Sequence, residues 1–410
     1  MINQERLLER FLRYVKVDTK AVEDAGKYPS SDGQLELGRM LVKELLAMGV
    51  SDAKQDEFGI VMATLPSNCD AKEVVAFNSH VDTSPETSGT NVKPNVIKNF
   101  DGQDIQLSGD PTKVITAATC AELPEAKGKT IITTDGTTLL GGDDKAGVSI
   151  IMELANFLVE NPEIEHGPVR IMFTCDEEIG RGVDHVDIEK LGATACYTFD
   201  GGAQDIIDTE TFSADLATVT IEGVNIHPAI AKDKMVNANR GAAHFLSQLP
   251  NDLSPERTDG RDGFLHPYSM EGGVAQAVIK ILLRDFDVSK FDTYRKVLDD
   301  AATATEQNFQ GMSVNVEITK QYRNMAEGLA KDPRAVEFAV ESHRQLGRDA
   351  NLEIVRGGTD GSRLTELGLP TPNLSSGQHN IHSPLEWACL DEMVNACELG
   401  VQIVKQWRSA

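Results

Sequence analysis

The chain has 410 residues, enough for roughly two to three domains, and its 40% hydrophobic residues and 34 glycines supply a large core. A formal net charge of −25, from 64 acids against 39 bases, excludes the basic footprint of a nucleic-acid binder. No apolar run reaches the roughly 18 residues of a membrane span, so no membrane partner is expected.

The six cysteines (69, 120, 175, 196, 389 and 397) are scattered and contain no CxxC pair. That usage fits reduced thiols and a cytoplasmic location better than a disulfide framework. The opening stretch "MINQERLLERFLRYVKVDTK" carries interspersed charges on an amphipathic helix pattern and lacks the features of a signal peptide.

Helical spacing of apolar residues is predicted over 7–15, 35–48 and 146–158. Short β-rich runs interleave with these helices: "GIVMATL" (59–65), "EVVAFNSHVD" (73–82), "VRIMFTC" (169–175) and "CYTFD" (196–200). This grammar predicts an α/β domain with a mostly parallel sheet covered by helices. In such sheets ligands gather at the carboxyl ends of strands, and His80, Glu177 and Asp200 are each expected just past one. The segment 85–129, rich in turn and polar residues, reads as a long loop.

From about residue 209 the pattern changes. "DLATVTIEG" (215–223) and "MSVNVEITK" (312–320) alternate with period two. Between them lie a helical run over 237–249, a strand in "VAQAVIKILLRDFD" (274–287) and a helix over 291–309. These predict a smaller α+β sandwich, one antiparallel sheet covered by helices. The first grammar then resumes with a helix over 333–346, a strand over 352–355 and a helix over 391–407. The expected organisation is therefore a discontinuous domain, 1–208 and 323–410, interrupted by an inserted domain at 209–322.

Several short stretches carry residues suited to metal chemistry. In "SHVD", His80 and Asp82 stand two apart on an extended segment and project to the same side. A carboxylate beside an imidazole is a common means of orienting it on a metal. "LLGGDDKAG" places Asp143 and Asp144 at a helix start, where an aspartate equally well serves as an N-cap. "CDEEIG" sets Asp176, Glu177 and Glu178 in a row at a strand end; "TFDGG" ends at Asp200, and "GQHNIHSPLE" contains His382.

Two histidines and three carboxylates suit a pair of Zn²⁺ ions bridged by one aspartate. Three carboxylates against two divalent cations leave one positive charge, which a hydroxide cancels, as buried charge requires. One acid of the 177–178 pair then remains free to accept a proton.

The stretches "SHVDTSP", "LLGGDDKAG", "DEEIG", "DGG", "NIHPAIAKDKMVNA", "RDFD" and "RGGTDG" follow one another as in the family of co-catalytic di-zinc aminopeptidases and deacylases, on its tripeptide-cleaving side. The chain resembles that family over essentially its whole length. The resemblance implies two Zn²⁺ per subunit, with His80 and Asp200 on one, Glu178 and His382 on the other, and Asp143 bridging across a cis Asp143–Asp144 peptide bond. It implies that Asp82 orients His80 and that Glu177 is the general base.

It further implies that the inserted domain is a lid, with His227, Asn237 and Arg284 binding the substrate carboxylate or the developing oxyanion. Arg356, read as part of the first domain, joins them. The activity implied is removal of the N-terminal residue from short peptides with a free N-terminus, above all tripeptides. The alternative is a dipeptidase, carboxypeptidase or N-acyl amino acid deacylase using the same metals. Lid sheets in such enzymes also pair into homodimers. Cys175 stands where the family pattern has proline. His379, three residues before His382, reads as a neighbouring residue rather than a ligand.

Overall fold

The computed structural model describes all 410 residues, which form two compact units. The first comprises Met1–Thr209, Met325–Glu353 and Thr359–Ala410, and the second comprises Glu210–Asn324 and Ile354–Gly358. No helix is long and apolar enough to cross a membrane, and all six cysteines are free.

The first unit is an α/β layer structure. At the centre of its sheet the strands Val169–Thr174, Val75–His80, Ala195–Gly202 and Asn373–His379 run parallel to their neighbours in that order. Antiparallel strands flank this centre, Val61–Leu65 on one side and Trp387–Cys389 with Ile131–Thr133 on the other. Every residue of Val75–His80 and of Asn373–His379 is buried, as expected where helices cover both faces.

The principal covering helices are Gly142–Glu160 and Leu390–Trp407, together with the N-terminal helix Gln4–Tyr14. Leu7, Phe11, Ile151, Leu154, Phe77 and Phe199 lie in the one large core they enclose. Gly147 permits the closest of these approaches. A Cβ there would lie 1.9 Å from the Phe199 carbonyl oxygen, so only glycine lets this helix settle on the strand that carries Asp200.

In the second unit four antiparallel strands are ordered Phe264–Gly272, Gln276–Asp285, Ser213–Glu222, Ser313–Tyr322. Helices Ala238–Ser247 and Lys290–Asn308 contribute Ala242, Phe245, Tyr294 and Leu298 to a core shared with Val219 and Ile279. Burial alternates residue by residue along Gln276–Asp285, the signature of a sheet covered on one face.

The structure departs from the sequence reading in several places, beginning with the strands Ile131–Thr133, Asn373–His379 and Trp387–Cys389, which the sequence patterns do not mark. The strand Phe264–Gly272 is additional. Pro267 interrupts its pattern, and the register slips between Pro267 and Ser269, which an outer strand tolerates. His80 is the last residue of its strand and Asp200 lies within Ala195–Gly202, not beyond their ends. The segment 85–129 is not bare loop. It holds the short strands Asn95–Ile97, Ile105–Gln106 and Val114–Ile115, and a small core of Phe100, Ile105, Leu107, Ile115 and Leu123 against Trp387. Finally, Arg356 belongs to the second unit rather than the first. Its guanidinium donates to the Gly260 carbonyl at 3.0 Å and to Thr258 Oγ1 at 3.0 Å, and lies over the Phe212 ring, which anchors 354–358 there.

Candidate metal centre

The three acids of "CDEEIG" separate into distinct tasks. Asp176 takes a left-handed conformation (φ 62°) and turns inward. Its carboxylate accepts the Ser30 backbone N–H at 2.7 Å, the Ser30 hydroxyl at 2.5 Å and the Gln34 amide at 2.7 Å. It fastens the strand end to the start of the Asp32–Ala47 helix and takes no part in the cluster that follows. Glu177 and Glu178 occupy a short 3₁₀ turn whose N–H groups both donate to Asp82, to Oδ1 at 3.1 Å and to Oδ2 at 3.0 Å. Asp82 Oδ1 also lies 3.3 Å from His80 Nδ1. The Asp82 backbone carbonyl bonds His80 Nδ1 at 3.1 Å, so this one buried residue aligns the imidazole and both glutamates.

Two groups of ligand-type atoms result, each within 4.8 Å of one another: His80, Asp143 and Asp200, and Asp143, Glu178 and His382. Asp143 is common to both. Its Oδ1 is 3.0 Å from His80 Nε2 and its Oδ2 is 3.1 Å from His382 Nε2. Asp200 Oδ1 lies 3.7 Å from His80 Nε2, and Glu178 Oε2 lies 3.0 Å from His382 Nε2. Glu177 Oε2 stands 3.9 Å from His80 Nε2 on the same side. The Asp143–Asp144 peptide bond is cis. Asp144, fully buried, accepts the His80 and Gly147 backbone N–H groups.

Electrostatics show what this cluster suits. Burial raises Glu178 to about 8, with Asp143 beside it contributing next, and raises Asp200 to about 6, again helped by Asp143. Burial also pushes Glu177 well above the usual carboxylate range. For Asp143, burial is outweighed by hydrogen bonds from His382 and His80, which hold it below that range. Burial alone would lower His382, but Asp143 and Glu178 raise it to about 11. Such crowding of buried acids around two imidazoles is the mark of a site built for positive charge. The donor set fits two divalent cations: all contacting atoms are carboxylate oxygens or imidazole nitrogens, and Glu178 Oε1 is buried without any hydrogen-bond partner.

Residues not singled out in the sequence complete the site. Glu386, fully buried, accepts backbone N–H groups from Leu140 at 2.6 Å, Gly141 at 2.8 Å and Asp143 at 3.1 Å. It thereby shapes the loop that presents Asp143. Asn373 Oδ1 accepts the Asp200 N–H at 3.1 Å, while its amide donates to Asp208 at 2.9 Å. Asp360 receives hydrogen bonds from Thr174 and Asn78. The "PLE" after His382 and the "TDG" of "RGGTDG" hold two of these acids, but nothing local marks them as supports.

The remaining expected residues belong to the second unit. His227 is exposed and caps the 3₁₀ turn Pro228–Ile230, with the Ala229 N–H donating to its Nδ1 at 3.2 Å. Asn237 caps the Ala238–Ser247 helix through the Asn239 N–H. Arg284, next to last in its strand, has a buried Nε with no hydrogen-bond partner. Arg356, by contrast, is already engaged within its unit.

Comparison with known proteins shows the family. Residues 134–406 match the model of peptidase family M20/M25/M40. The chain is 44% identical over 403 residues to peptidase T of Geobacillus thermodenitrificans, covering 98% of each, and 43% identical over 405 residues to that of Bacillus mycoides, covering 98% of this chain and 99% of the relative. Among solved structures it is similar to aminopeptidase PepT from Bacillus cereus (TM-score 0.75, 26% identity, 99% of both chains). It shares the fold of a Staphylococcus aureus tripeptidase (TM-score 0.77, 24% identity, 100% of both). A Bacillus subtilis protein described as a dinuclear metal-binding peptidase of the M20 family also shares it (TM-score 0.65, 14% identity, 99% of this chain and 98% of that one). The chain belongs to peptidase family M20/M25/M40, in its peptidase T group.

Proposed function

We propose that the chain is a two-metal aminopeptidase that releases the N-terminal residue of short peptides, tripeptides above all, with zinc as its metal. The observation that carries the reading is the sharing of Asp143 between two ligand groups, with a further carboxylate, Glu177, left over beside them. His80 and Asp200 would hold one cation, Glu178 and His382 the other, and Asp143 both. When bound, the cations would polarise the scissile carbonyl and acidify water.

Glu177 then acts as the general base. Its backbone is pinned by Asp82, and burial raises its carboxyl well above the usual carboxylate range. It accepts a proton from the attacking water and returns it to the leaving amine. Asp82 keeps the His80 ring and the 177–178 turn in register. The second unit serves as a lid, and the unpaired Arg284 Nε supplies a donor for a peptide carboxylate. The relatives' names, a peptidase T at 44% identity among them, support the choice of substrate.

The experiment is release of free amino acid from di-, tri- and tetrapeptides, each with and without an N-terminal block. Preferential cleavage of unblocked tripeptides is expected. Turnover of blocked substrates would replace this reading with a deacylase or carboxypeptidase.

A further inference from the structure

A second group of metal-ligating side chains lies in the first unit outside the cluster just described. Cys120, Glu122 and His379 offer a sulfur, a carboxylate oxygen and a ring nitrogen that all lie within 4.8 Å of one another. They come from separate parts of the chain. Cys120 and Glu122 lead into the 3₁₀ turn Leu123–Ala126, and His379 is the last residue of the central strand Asn373–His379. None of the three touches the His80–His382 groups in the contacts described above. We propose that Cys120, Glu122 and His379 form a further cation site, for a thiolate-accepting divalent ion of the zinc class, that clips the 116–126 segment to this strand.

The surroundings have the features such a site needs. The His379 ring is immobilised by stacking on Trp387, with centroids 3.8 Å apart and planes 4° off parallel. Its Nε2 is engaged by Glu392 Oε2 at 2.8 Å, and Glu392 in turn accepts from Lys129 at 2.9 Å. A carboxylate holding one nitrogen of an imidazole is the arrangement that orients a metal-ligating histidine and leaves the other nitrogen free. Trp387 Nε1 is buried and makes no hydrogen bond. It lowers the Cys120 thiol against the larger effects of burial and Glu122, so it favours a thiolate there. That orphaned donor is the second sign that the site expects negative charge on sulfur.

Charge also balances. A thiolate and the Glu122 carboxylate neutralise one divalent cation, while Glu392 is already paired with Lys129. Cys120 is buried and Glu122 exposed, so solvent can reach the fourth position of a tetrahedral ion from the Glu122 side. Without a cation, the thiol donates to Glu122 Oε2 at 3.1 Å. Burial first, then this hydrogen bond, raises Cys120 to about 11. Binding would displace that proton, so uptake is accompanied by proton release.

Cobalt(II) separates this site from the other, because the His80–His382 groups contain only nitrogen and oxygen donors. Full-length protein, stripped of metal and kept reduced without added thiols, is titrated with Co²⁺ while sulfur-to-cobalt charge-transfer absorption is followed. The wild type should develop this band. Cys120→Ser should abolish it, and Cys69→Ser should leave it intact. Glu122→Gln alters an exposed side chain and so keeps the fold; it should weaken the Co²⁺ affinity read from the band by roughly tenfold or more.

Absence of the band in the wild type at saturating Co²⁺ would overturn the proposal. So would an undiminished band in Cys120→Ser, or unchanged affinity in Glu122→Gln. The Glu122 variant decides the matter even if Cys120→Ser does not fold.

Discussion

Glu386 Oε1 accepts the backbone N–H of Asp143 at 3.1 Å, so the carboxylate shared by both halves of the metal centre is set in place by another, fully buried acid. Oε2 of the same side chain takes the N–H groups of Leu140 and Gly141. Removing this carboxylate leaves three buried donors unpaired, each costing about 1–3 kcal/mol. Glu386→Ala should therefore lower metal affinity by about 10–100-fold, the usual loss for a support behind a ligand. Competition with a chelating indicator measures it. Affinity unchanged in a destabilised variant would show that Glu386 serves the fold alone.

Glu177 and Glu178 are neighbours in sequence with different surroundings, and their glutamine variants should fail differently. Glu178 Oε2 lies 3.0 Å from His382, so Glu178→Gln should lose metal from that half of the site. Glu177→Gln keeps a side chain of the same shape but cannot take up a proton. It should bind metal normally and lose roughly 10²–10⁴-fold in kcat. Metal content by elemental analysis, read beside kcat, distinguishes the two; near-normal kcat in Glu177→Gln would remove it from the mechanism.

Asp208 supports the strand of Asp200 through Asn373 and is itself buried. Burial raises it to about 7, with Glu353 and Asp200 adding to the effect. Its folded-state pKa lies above its unfolded value near 3.9, so between those two values the folded chain holds more protons. Stability must then fall as pH rises through that window. Asp208→Asn removes the ionisation while leaving an oxygen to accept from Asn373. The variant should match the wild type near pH 4 and exceed it at pH 8, by at most about 4 kcal/mol at about 1.36 kcal/mol per pKa unit. Denaturant unfolding at the two pH values is the test, and equal stability at both would mean that Asp208 is ionised in the fold without penalty.

Arg284 has a buried Nε without a partner and a strand-end position in the second unit. If it grips the substrate's C-terminal carboxylate, Arg284→Ala should raise KM for tripeptides far more than for their C-terminal amides. The expected difference is about 1.5–3 kcal/mol, the worth of a hydrogen bond to a charged group. Equal losses on acid and amide substrates would deny Arg284 that role.

The residues that gather at Asp143 are those the family resemblance implied, and short local patterns carried that resemblance. His80 and Asp82 share one face of an extended segment, Glu177 and Glu178 are adjacent, and glycines flank the Asp143 loop. The alternation in Gln276–Asp285 likewise follows from side-chain periodicity, whereas the unbroken burial of Val75–His80 needs helices on both faces of the sheet. What the tertiary structure decided are relationships between residues far apart in the chain, which no local pattern records. Asp176 adjoins Glu177 and Glu178 in the chain, yet it binds Ser30 and Gln34, 146 and 142 residues away. Glu386 reaches back 243 residues to Asp143, and Arg356 joins the second unit because Thr258 and Gly260 carry its acceptors. A hydrogen bond or a metal ligand needs only proximity in space, and packing of the sheet and its helices creates that proximity. Periodicity therefore predicts which face a residue occupies, while its partner across the fold is fixed only once the layers meet.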